Sequence, residues 1–472
     1  MPVRLVRLLP AALALLLPMA ALAQAPALRL EPYAFRLADG SELPAERGTF
    51  SVPEDRNDPR SRRIEIGFLR FRSTNPHPGA PIVYLAGGPG GSGVAAARGP
   101  RQPIFLALRQ VADVIAFDQR GTGLSNHIPA CQAARRLDPA VVLSEATLSA
   151  YYRETLTGCV ARWRAAGVAV TGYTTTQNAA DLEELRRLLG APKLDLWAIS
   201  YGTQLAMAAM RAYPGSIGRA VFASADGTGQ RVKLPASLDR AYARIDRVVP
   251  GDLVPLMRRV HARLDARPQS FTFTTPQGPL TFRSDSFVLR MMAGLLPKNP
   301  DGIAQFTGAY EAIAAGQGDA LAPLLYSFFY KDPLTLTGMA ELIPIASGIS
   351  DRRLALVRRQ APASLTGTAI NFPMPQFRRA VPGLDLGDGY RREVRSSVPV
   401  LLFSGDLDIR TPLEEQAAAT AGLRNLHQVI VRNGGHDLFE VHPDIPALMI
   451  AFFSGRPVTV RELRLPPPPL VR

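Results

Sequence analysis

The chain has 472 residues, of which 47% are hydrophobic and 20% are charged, and its formal net charge is +14. This composition excludes a disordered or fibrous protein, and the length is enough for two or three domain-sized units. The positive charge would suit an anionic surface or nucleic acid, but the arginines are dispersed, without a long basic run or interleaved aromatic residues, which argues against nucleic-acid binding.

Residues 1–23 have the features of a cleavable secretory signal. Arg4 and Arg7 precede an apolar stretch at 8–22, and an Ala-Leu-Ala sequence ends at Ala23. This stretch is short for a membrane-spanning helix, and no later segment is long and charge-free enough to form one. We therefore expect an exported protein, periplasmic or secreted, that is not stably inserted in a membrane.

Short apolar runs that alternate with helix-like stretches predict an α/β protein with a mostly parallel central sheet covered by helices. The predicted strands are 64–71, 82–86, 111–117, 194–199, 220–223, 398–403 and 428–431. Between 229 and 395 helix-like stretches dominate instead, at 238–249, 253–264, 287–296, 303–315 and 351–360. The pattern thus predicts a helical cap at 229–395, inserted into a core formed by 24–228 and 396–472.

Cys131 and Cys159 are the only cysteines of the chain. An oxidising compartment favours their pairing into one disulfide, and the alternative is two separate buried thiols. The sequence has no HExxH-like pair or cysteine cluster, so no metal site is predicted.

Ser200 follows the predicted strand 194–199 and precedes a helix-like run at 204–210. A serine between a strand and a helix is exposed on a tight turn and faces the positive end of the helix, as a nucleophile requires. The usual motif for this turn is G-x-S-x-G, whereas this chain has Ala198 at the first glycine. A methyl group fits there if the strand and the helix separate slightly, so we expect activity to be retained.

A serine nucleophile needs a base, and His436 follows the strand 428–431 on a glycine-containing loop. Asp408, which follows the strand 398–403, would orient the imidazole. Asp406 is a competing acid that we favour less because of its place in the pattern, and either carboxylate could instead cap a turn. The order serine, acid, histidine on alternating strands and helices predicts an α/β-hydrolase fold.

The glycine-rich segment 87–93 follows the strand 82–86. Glycine lets backbone amides approach a ligand closely, and the amides of Gly88 and Tyr201 are the natural donors to an oxyanion. The alternatives are a simple turn or a phosphate loop, but the lysine and the serine or threonine of a phosphate loop are missing. The predicted mechanism needs no cofactor.

Taken together, the motifs resemble the proline iminopeptidase and tripeptidyl aminopeptidase group of α/β hydrolases. The resemblance rests on residues 48–55, 87–93, 118–125, 173–175, 179–182, 199–203, 405–408, 411–412 and 435–436. It implies a serine hydrolase with Ser200 as nucleophile, His436 as base and Asp408 as acid, and with Gly88 and Tyr201 as oxyanion donors. It also implies cleavage of peptides from the free amino end, releasing one residue, often proline, or a short peptide.

Acidic groups in the cap of such enzymes hold the substrate's ammonium group. Glu311 and Glu341 are the cap glutamates considered for this role, and the alternative is that both are solvated helix residues. The same fold and triad also serve esters, lactones and amides, and an inactive binding protein on this scaffold is a further alternative. Carboxylates facing the site would favour peptides, whereas an apolar pocket would favour esters.

Overall fold

A ten-stranded sheet forms the centre of the computed structural model, which describes residues 27–249 and 252–468. Numbered in chain order, its strands are β1 (Arg29–Arg36), β2 (Glu42–Pro53), β3 (Arg63–Phe71), β4 (Ile82–Leu85), β5 (Val114–Phe117), β6 (Leu194–Ile199), β7 (Ile217–Ala223), β8 (Val400–Gly405), β9 (Leu426–Arg432) and β10 (Glu462–Arg464). The predicted secretory signal at 1–23 lies outside the described residues.

The spatial order of the strands is β1-β2-β3-β5-β4-β6-β7-β8-β9-β10. The pairs β1–β2, β2–β3 and β3–β5 are antiparallel, and every neighbouring pair from β5 to β10 is parallel. Strands β4, β5, β6 and β8 are buried along their whole length, as expected for parallel strands covered on both faces. The predicted mostly parallel sheet with helices around it is confirmed.

Helices outside the large insertion cover the two faces of the sheet. Among the described residues, the α-helices outside the insertion are Gly93–Arg98, Gln102–Leu108, Glu145–Ala165, Thr175–Leu188, Tyr201–Ala212, Leu413–Thr420 and Asp444–Phe453. A 3-10 helix lies at Val170–Gly172. The helix Glu145–Ala165 contains Cys159, which forms a disulfide with Cys131. The predicted disulfide is therefore present.

The segment between β7 and β8 is mainly helical. Its described α-helices are Pro235–Asp246, Leu253–Ala266, Ser286–Met292, Pro300–Ala314, Ala322–Phe329, Met339–Ser347, Asp351–Gln360 and Gly387–Arg391, with 3-10 helices at Leu296–Lys298, Gly318–Leu321, Ala361–Ala363 and Ala369–Asn371. The apolar side chains of the first five of these α-helices form a separate core that also includes Leu407 and Ile409 from the loop after β8. The last three pack into a core shared with the sheet. The insertion thus packs directly on a loop at the carboxyl end of the sheet.

The sequence-based prediction missed several strands. Within the insertion, Gln269–Thr275 and Gly278–Ser284 form an antiparallel hairpin. Cys131–Gln132, which lies outside the insertion, pairs with Thr335–Leu336 inside it. Strand β1, which was also missed, lies at the edge of the sheet, and most of its residues are exposed. Edge strands need not form continuous apolar runs, which explains why a search for such runs did not find it.

A buried ion pair joins the loop after β5 to the helix Thr175–Leu188. Arg120 and Asp181 are both fully buried, and the guanidinium of Arg120 donates two hydrogen bonds of 2.7 Å to the carboxylate of Asp181. A third donation from Arg120 reaches the carbonyl of Gly172 at 2.6 Å. These contacts give the 118–125 and 179–182 motifs a structural role, because they fix the loop after β5 to the helix Thr175–Leu188.

No helix among the described residues has the length and apolar character needed to cross a bilayer.

The buried carboxyl group of Asp195 in β6 is expected to make the stability of the protein depend on pH. This carboxyl is buried, and burial raises its pKa to about 7, although the Arg219 amide donates to it at 2.7 Å. Between about pH 4 and pH 7 the folded state therefore binds more protons than the unfolded state, so stability falls as the pH rises through this range.

Asp195→Asn resembles the protonated form and is expected to leave stability unchanged near pH 4. At pH 8 it should stabilise the protein by up to roughly 4 kcal/mol, since one pKa unit corresponds to about 1.4 kcal/mol. Urea unfolding at the two pH values measures this difference. An equal change in the free energy of unfolding at pH 4 and at pH 8 would contradict a raised pKa for Asp195.

Candidate active site

Ser200 lies on a strained turn between β6 and the helix Tyr201–Ala212. Its φ and ψ angles are 54° and −126°, a conformation that residues other than glycine rarely adopt. The amide of Ser200 donates to the carbonyl of Ala223 at 3.1 Å, which fixes the turn against β7. The turn directs the helix's amino end, with its partial positive charge, toward the serine.

The residues on either side of Ser200 explain how the altered motif is accommodated. A methyl group at Gly202 would lie 2.1 Å from the carbonyl oxygen of Leu85, so this second glycine of the motif is required for close packing on β4. Ala198 replaces the first glycine, is fully buried in β6, and pairs in register with Leu85 and Phe222. The structure therefore holds the alanine methyl without breaking the pairing of β6.

His436 and Asp408 are in direct contact. Nδ1 of His436 lies 3.0 and 3.1 Å from the two carboxylate oxygens of Asp408. A proton on Nδ1 that is donated to Asp408 leaves Nε2 as the basic nitrogen of the ring. The backbone of His436 is held from two sides, because its amide donates to the carbonyl of Lys298 at 2.7 Å and its carbonyl accepts from Ser224 Oγ at 2.7 Å.

Asp408 is fully buried and accepts further hydrogen bonds from the start of its own loop. The amides of Arg410 and Thr411 donate to Oδ1 at 2.7 and 2.9 Å, and the Thr411 hydroxyl donates to Oδ2 at 2.7 Å. Burial alone would raise the pKa of Asp408, but the imidazole of His436 and the amide and hydroxyl of Thr411 lower it below its ordinary value. The carboxylate is thus held in its ionised form beside the histidine.

Asp406, the competing acid, contacts other groups. Its Oδ1 accepts the amide of Asn433 at 2.8 Å, and its Oδ2 lies 3.5 Å from Arg432. It therefore stabilises the turn after β9, as the alternative interpretation of this residue proposed. Of the two acids, it is Asp408 that contacts His436.

The glycine loop after β4 approaches the serine closely. A methyl group at Gly87 would lie 3.1 Å from the Ser200 Cβ atom and 3.1 Å from the Ile199 carbonyl oxygen. Among the described residues, the amides of Gly88 and Tyr201 donate to no protein acceptor. Both amides are thus available to an oxyanion formed on a carbonyl bound at Ser200.

Ser200 and Gly88 line two neighbouring cavities. One has a volume of about 410 Å³ and is walled on its apolar side by residues of the insertion, including Leu238, Met291, Leu295, Phe328, Phe329 and Phe372. The second has a volume of about 440 Å³ and is also lined by His436. Phe328 and Leu295 are exposed large apolar side chains, which indicates that they lie at the opening. The cavity has room for a small substrate with an apolar part.

The two cap glutamates do not line either cavity. Glu311 is exposed on the helix Pro300–Ala314. Glu341 uses its carboxylate to accept the amides of Thr337 and Gly338 at 3.2 and 2.8 Å, so it caps the start of its own helix. The structure thus does not bring either glutamate to the lining of the cavities beside Ser200, and the contacts of Glu341 are those of a helix cap.

The charged residues that do line the cavity of about 410 Å³ were missed from the sequence. They are Asp226, which follows β7, Arg231 and Lys233, which lie in the loop after it, and Arg410, which follows Asp408. Position at the carboxyl end of a parallel strand was the signal that could have identified Asp226, and Arg410 follows β8 in the same way. Arg231 and Lys233 carry no such signal, because they lie further along the loop after β7.

A family model described as alpha/beta hydrolase fold matches residues 80–443 of the chain. The tripeptidyl aminopeptidase of Streptomyces coelicolor is 30% identical over 214 residues, covering 42% of this chain and 39% of that protein. The serine protease Hip1 of Mycobacterium tuberculosis is 30% identical over 175 residues, covering 35% of this chain and 33% of that protein. The chain thus matches only about a third to two fifths of the length of these curated relatives.

Solved structures also resemble the chain at low sequence identity. Epoxide hydrolase A from Mycobacterium thermoresistibile is 17% identical, with a TM-score of 0.39, and the match covers 84% of this chain and 97% of that chain.

Proposed function

The chain belongs to the α/β-hydrolase fold family, and on that premise we propose that it is an exported serine peptidase that releases an N-terminal residue or a short N-terminal peptide. One observation supports the hydrolytic part of the proposal. Asp408 contacts His436 at the carboxyl end of the parallel strands, where Ser200 lies on its strained turn. The peptidase part is supported by the names of relatives that match part of the chain.

The proposed reaction begins when Ser200 Oγ attacks the scissile carbonyl carbon and passes its proton to Nε2 of His436. The amides of Gly88 and Tyr201 donate to the resulting oxyanion. His436 then gives the proton to the leaving nitrogen, the C–N bond breaks, and the acyl group stays on Ser200. A water molecule, deprotonated by His436, attacks this ester, and the proton returns to Ser200 Oγ as the acid product leaves.

Asp408 acts in this scheme through the imidazole. Its negative charge stabilises the imidazolium that forms during each attack, and its hydrogen bond keeps the proton on Nδ1. The lowered pKa of Asp408 suits this role, because it keeps the carboxylate ionised beside the imidazole.

Export is proposed from two features. Residues 1–23 have the pattern of a secretory signal, and Cys131 and Cys159 are paired, which is typical of proteins in oxidising compartments.

A second candidate function is hydrolysis of amides or esters that lack a free amine. It is favoured by the lining of the cavity of about 410 Å³, in which Asp226 is the one carboxylate among the described residues, and this group is already paired with Arg231 and Lys233. An ammonium group would find no free carboxylate there.

A panel of peptidyl arylamides with free and acetylated amino ends, beside simple aryl esters, separates the two candidates. Recognition of the ammonium should make kcat/KM about tenfold or more higher for the free-amine compounds, as expected for a charged hydrogen bond. Equal rates on free and acetylated compounds, or a clear preference for the esters, would favour the second function. Loss of all hydrolysis in Ser200→Ala serves as the control for a contaminating enzyme.

A further inference from the structure

The charged side chains that line the cavity of about 410 Å³ carry a surplus of positive charge. They are Asp226, Arg231, Lys233 and Arg410, so that among the described residues three cations face one carboxylate. The rest of the wall is largely apolar. A cavity with this lining favours an anionic partner over a cationic one.

Asp226 is fully occupied by two of these cations. It is buried, its Oδ2 accepts from Arg231 at 3.0 Å, and its Oδ1 accepts from the Nζ of Lys233. Lys233 also donates to the carbonyl of Gln230 at 2.7 Å. The single negative charge of Asp226 is therefore already shared by two cations.

Arg410 is the third cation. Its Nη1 donates to the carbonyl of Gly294 at 2.8 Å, and within residues 27–249 and 252–468 no carboxylate lies within salt-bridge distance of its guanidinium. Burial and the neighbouring charge of Arg231 lower the pKa of Arg410, and the nearby carboxylates of Asp408 and Asp226 oppose this only in part. A guanidinium in this setting is destabilised by desolvation and by repulsion, and a bound anion would relieve both.

Arg410 also lies next to the reacting groups. The two cavities share four lining residues, namely Gly88, Ser200, Leu295 and Arg410. A group bound by Arg410 is therefore close to the nucleophile and to the proposed oxyanion donor.

We propose that the substrate carries a carboxylate near its scissile bond, and that the guanidinium of Arg410, with Arg231 beside it, binds this group. The inference rests on the proposed function, since it takes Ser200 as the nucleophile. The carboxylate belongs either to an acidic side chain or to the carboxyl end of a short peptide. Both present two coplanar oxygens, which match the fork of a guanidinium.

Matched pairs of substrates test the proposal on the wild-type protein. Peptidyl arylamides with glutamate or glutamine before the scissile bond test a side-chain carboxylate. Short peptides with a free or an amidated carboxyl end test a terminal one. We expect kcat/KM to be about tenfold or more higher for the carboxylate member of at least one pair. No preference in either pair would overturn the inference.

Variants of Arg410 test the residue itself. The quantity compared is the ratio of kcat/KM for the carboxylate substrate to kcat/KM for its uncharged partner, measured separately for each variant. Arg410→Gln should bring this ratio close to one, and Arg410→Lys should keep part of it because the charge remains. Arg424→Gln, which removes an exposed arginine far from the cavity lining, should keep the full ratio. A full ratio in Arg410→Gln would show that another group binds the carboxylate and would overturn the assignment.

Labelling of Ser200 by a fluorophosphonate needs no variant and separates this inference from the proposed function. Glutarate should slow the labelling of the wild-type protein, whereas the uncharged glutaramide at equal concentration should not. Absence of labelling without either compound would end the proposed function. Normal labelling that both compounds slow equally, or that neither slows, would overturn only the carboxylate site.

Discussion

Ser200→Ala is expected to lower kcat by a factor of about 10⁶, the loss seen when the serine of such a triad is removed. The variant keeps the fold, because no side-chain hydrogen bond of Ser200 supports the turn and the backbone contact to Ala223 is unchanged. His436→Ala should cost about as much, since the hydroxyl is a weak nucleophile without a base.

The double variant Ser200→Ala/His436→Ala should be no slower than either single variant, because the residues act as a unit. Rates on a chromogenic substrate, together with thermal unfolding, measure these effects. Ser397→Ala and His77→Ala, at exposed positions, are the matched controls and should keep full activity. Nearly full activity in His436→Ala would show that another group is the base.

Asp408→Asn is expected to lower kcat by about 10⁴-fold with little change in KM. The side-chain NH2 of an asparagine at this position can donate a hydrogen bond to Nδ1 of His436, which would favour the tautomer with its proton on Nε2 and remove the base. The amide oxygen can still accept from the backbone of Arg410 and Thr411, so the loop should keep its shape.

Asp406→Asn is the matched control, two residues away on the same loop. Its carboxylate accepts the amide of Asn433, which an asparagine oxygen can also accept, so activity should stay within a few-fold of the wild type. Equal losses in the two variants would indicate a general effect on the loop and would remove the distinction between the two acids.

The positions of the three proposed catalytic residues were predictable because each follows an apolar run that forms a parallel strand. Ser200 follows β6, Asp408 follows β8, and His436 follows β9, so the sheet brings them to one edge. The choice of Asp408 over Asp406 also agrees with the contact to His436. Local pattern was sufficient here, since strand ends and the turn after them are encoded by neighbouring residues.

The lining of the cavity could not be predicted in the same way. Arg231 lies five residues after Asp226 in the loop after β7, and Arg410 follows β8, the strand paired with β7, but no local pattern specifies which side chains of these loops line the cavity. Glu341 is different, because a local signal existed: it stands three residues after Gly338, the spacing at which a glutamate caps its own helix. That spacing favoured a capping role from the start.

The insertion supports the proposed general base, because the carbonyl of Lys298 accepts the amide of His436. Lys298 and Asn299 both belong to the insertion, and the Asn299 side chain accepts the amide of Asp437 at 3.1 Å. A chimera that exchanges residues 229–395 for those of a relative would thus alter the scaffold of the general base as well as substrate choice. Excision of the same residues would not leave a minimal hydrolase.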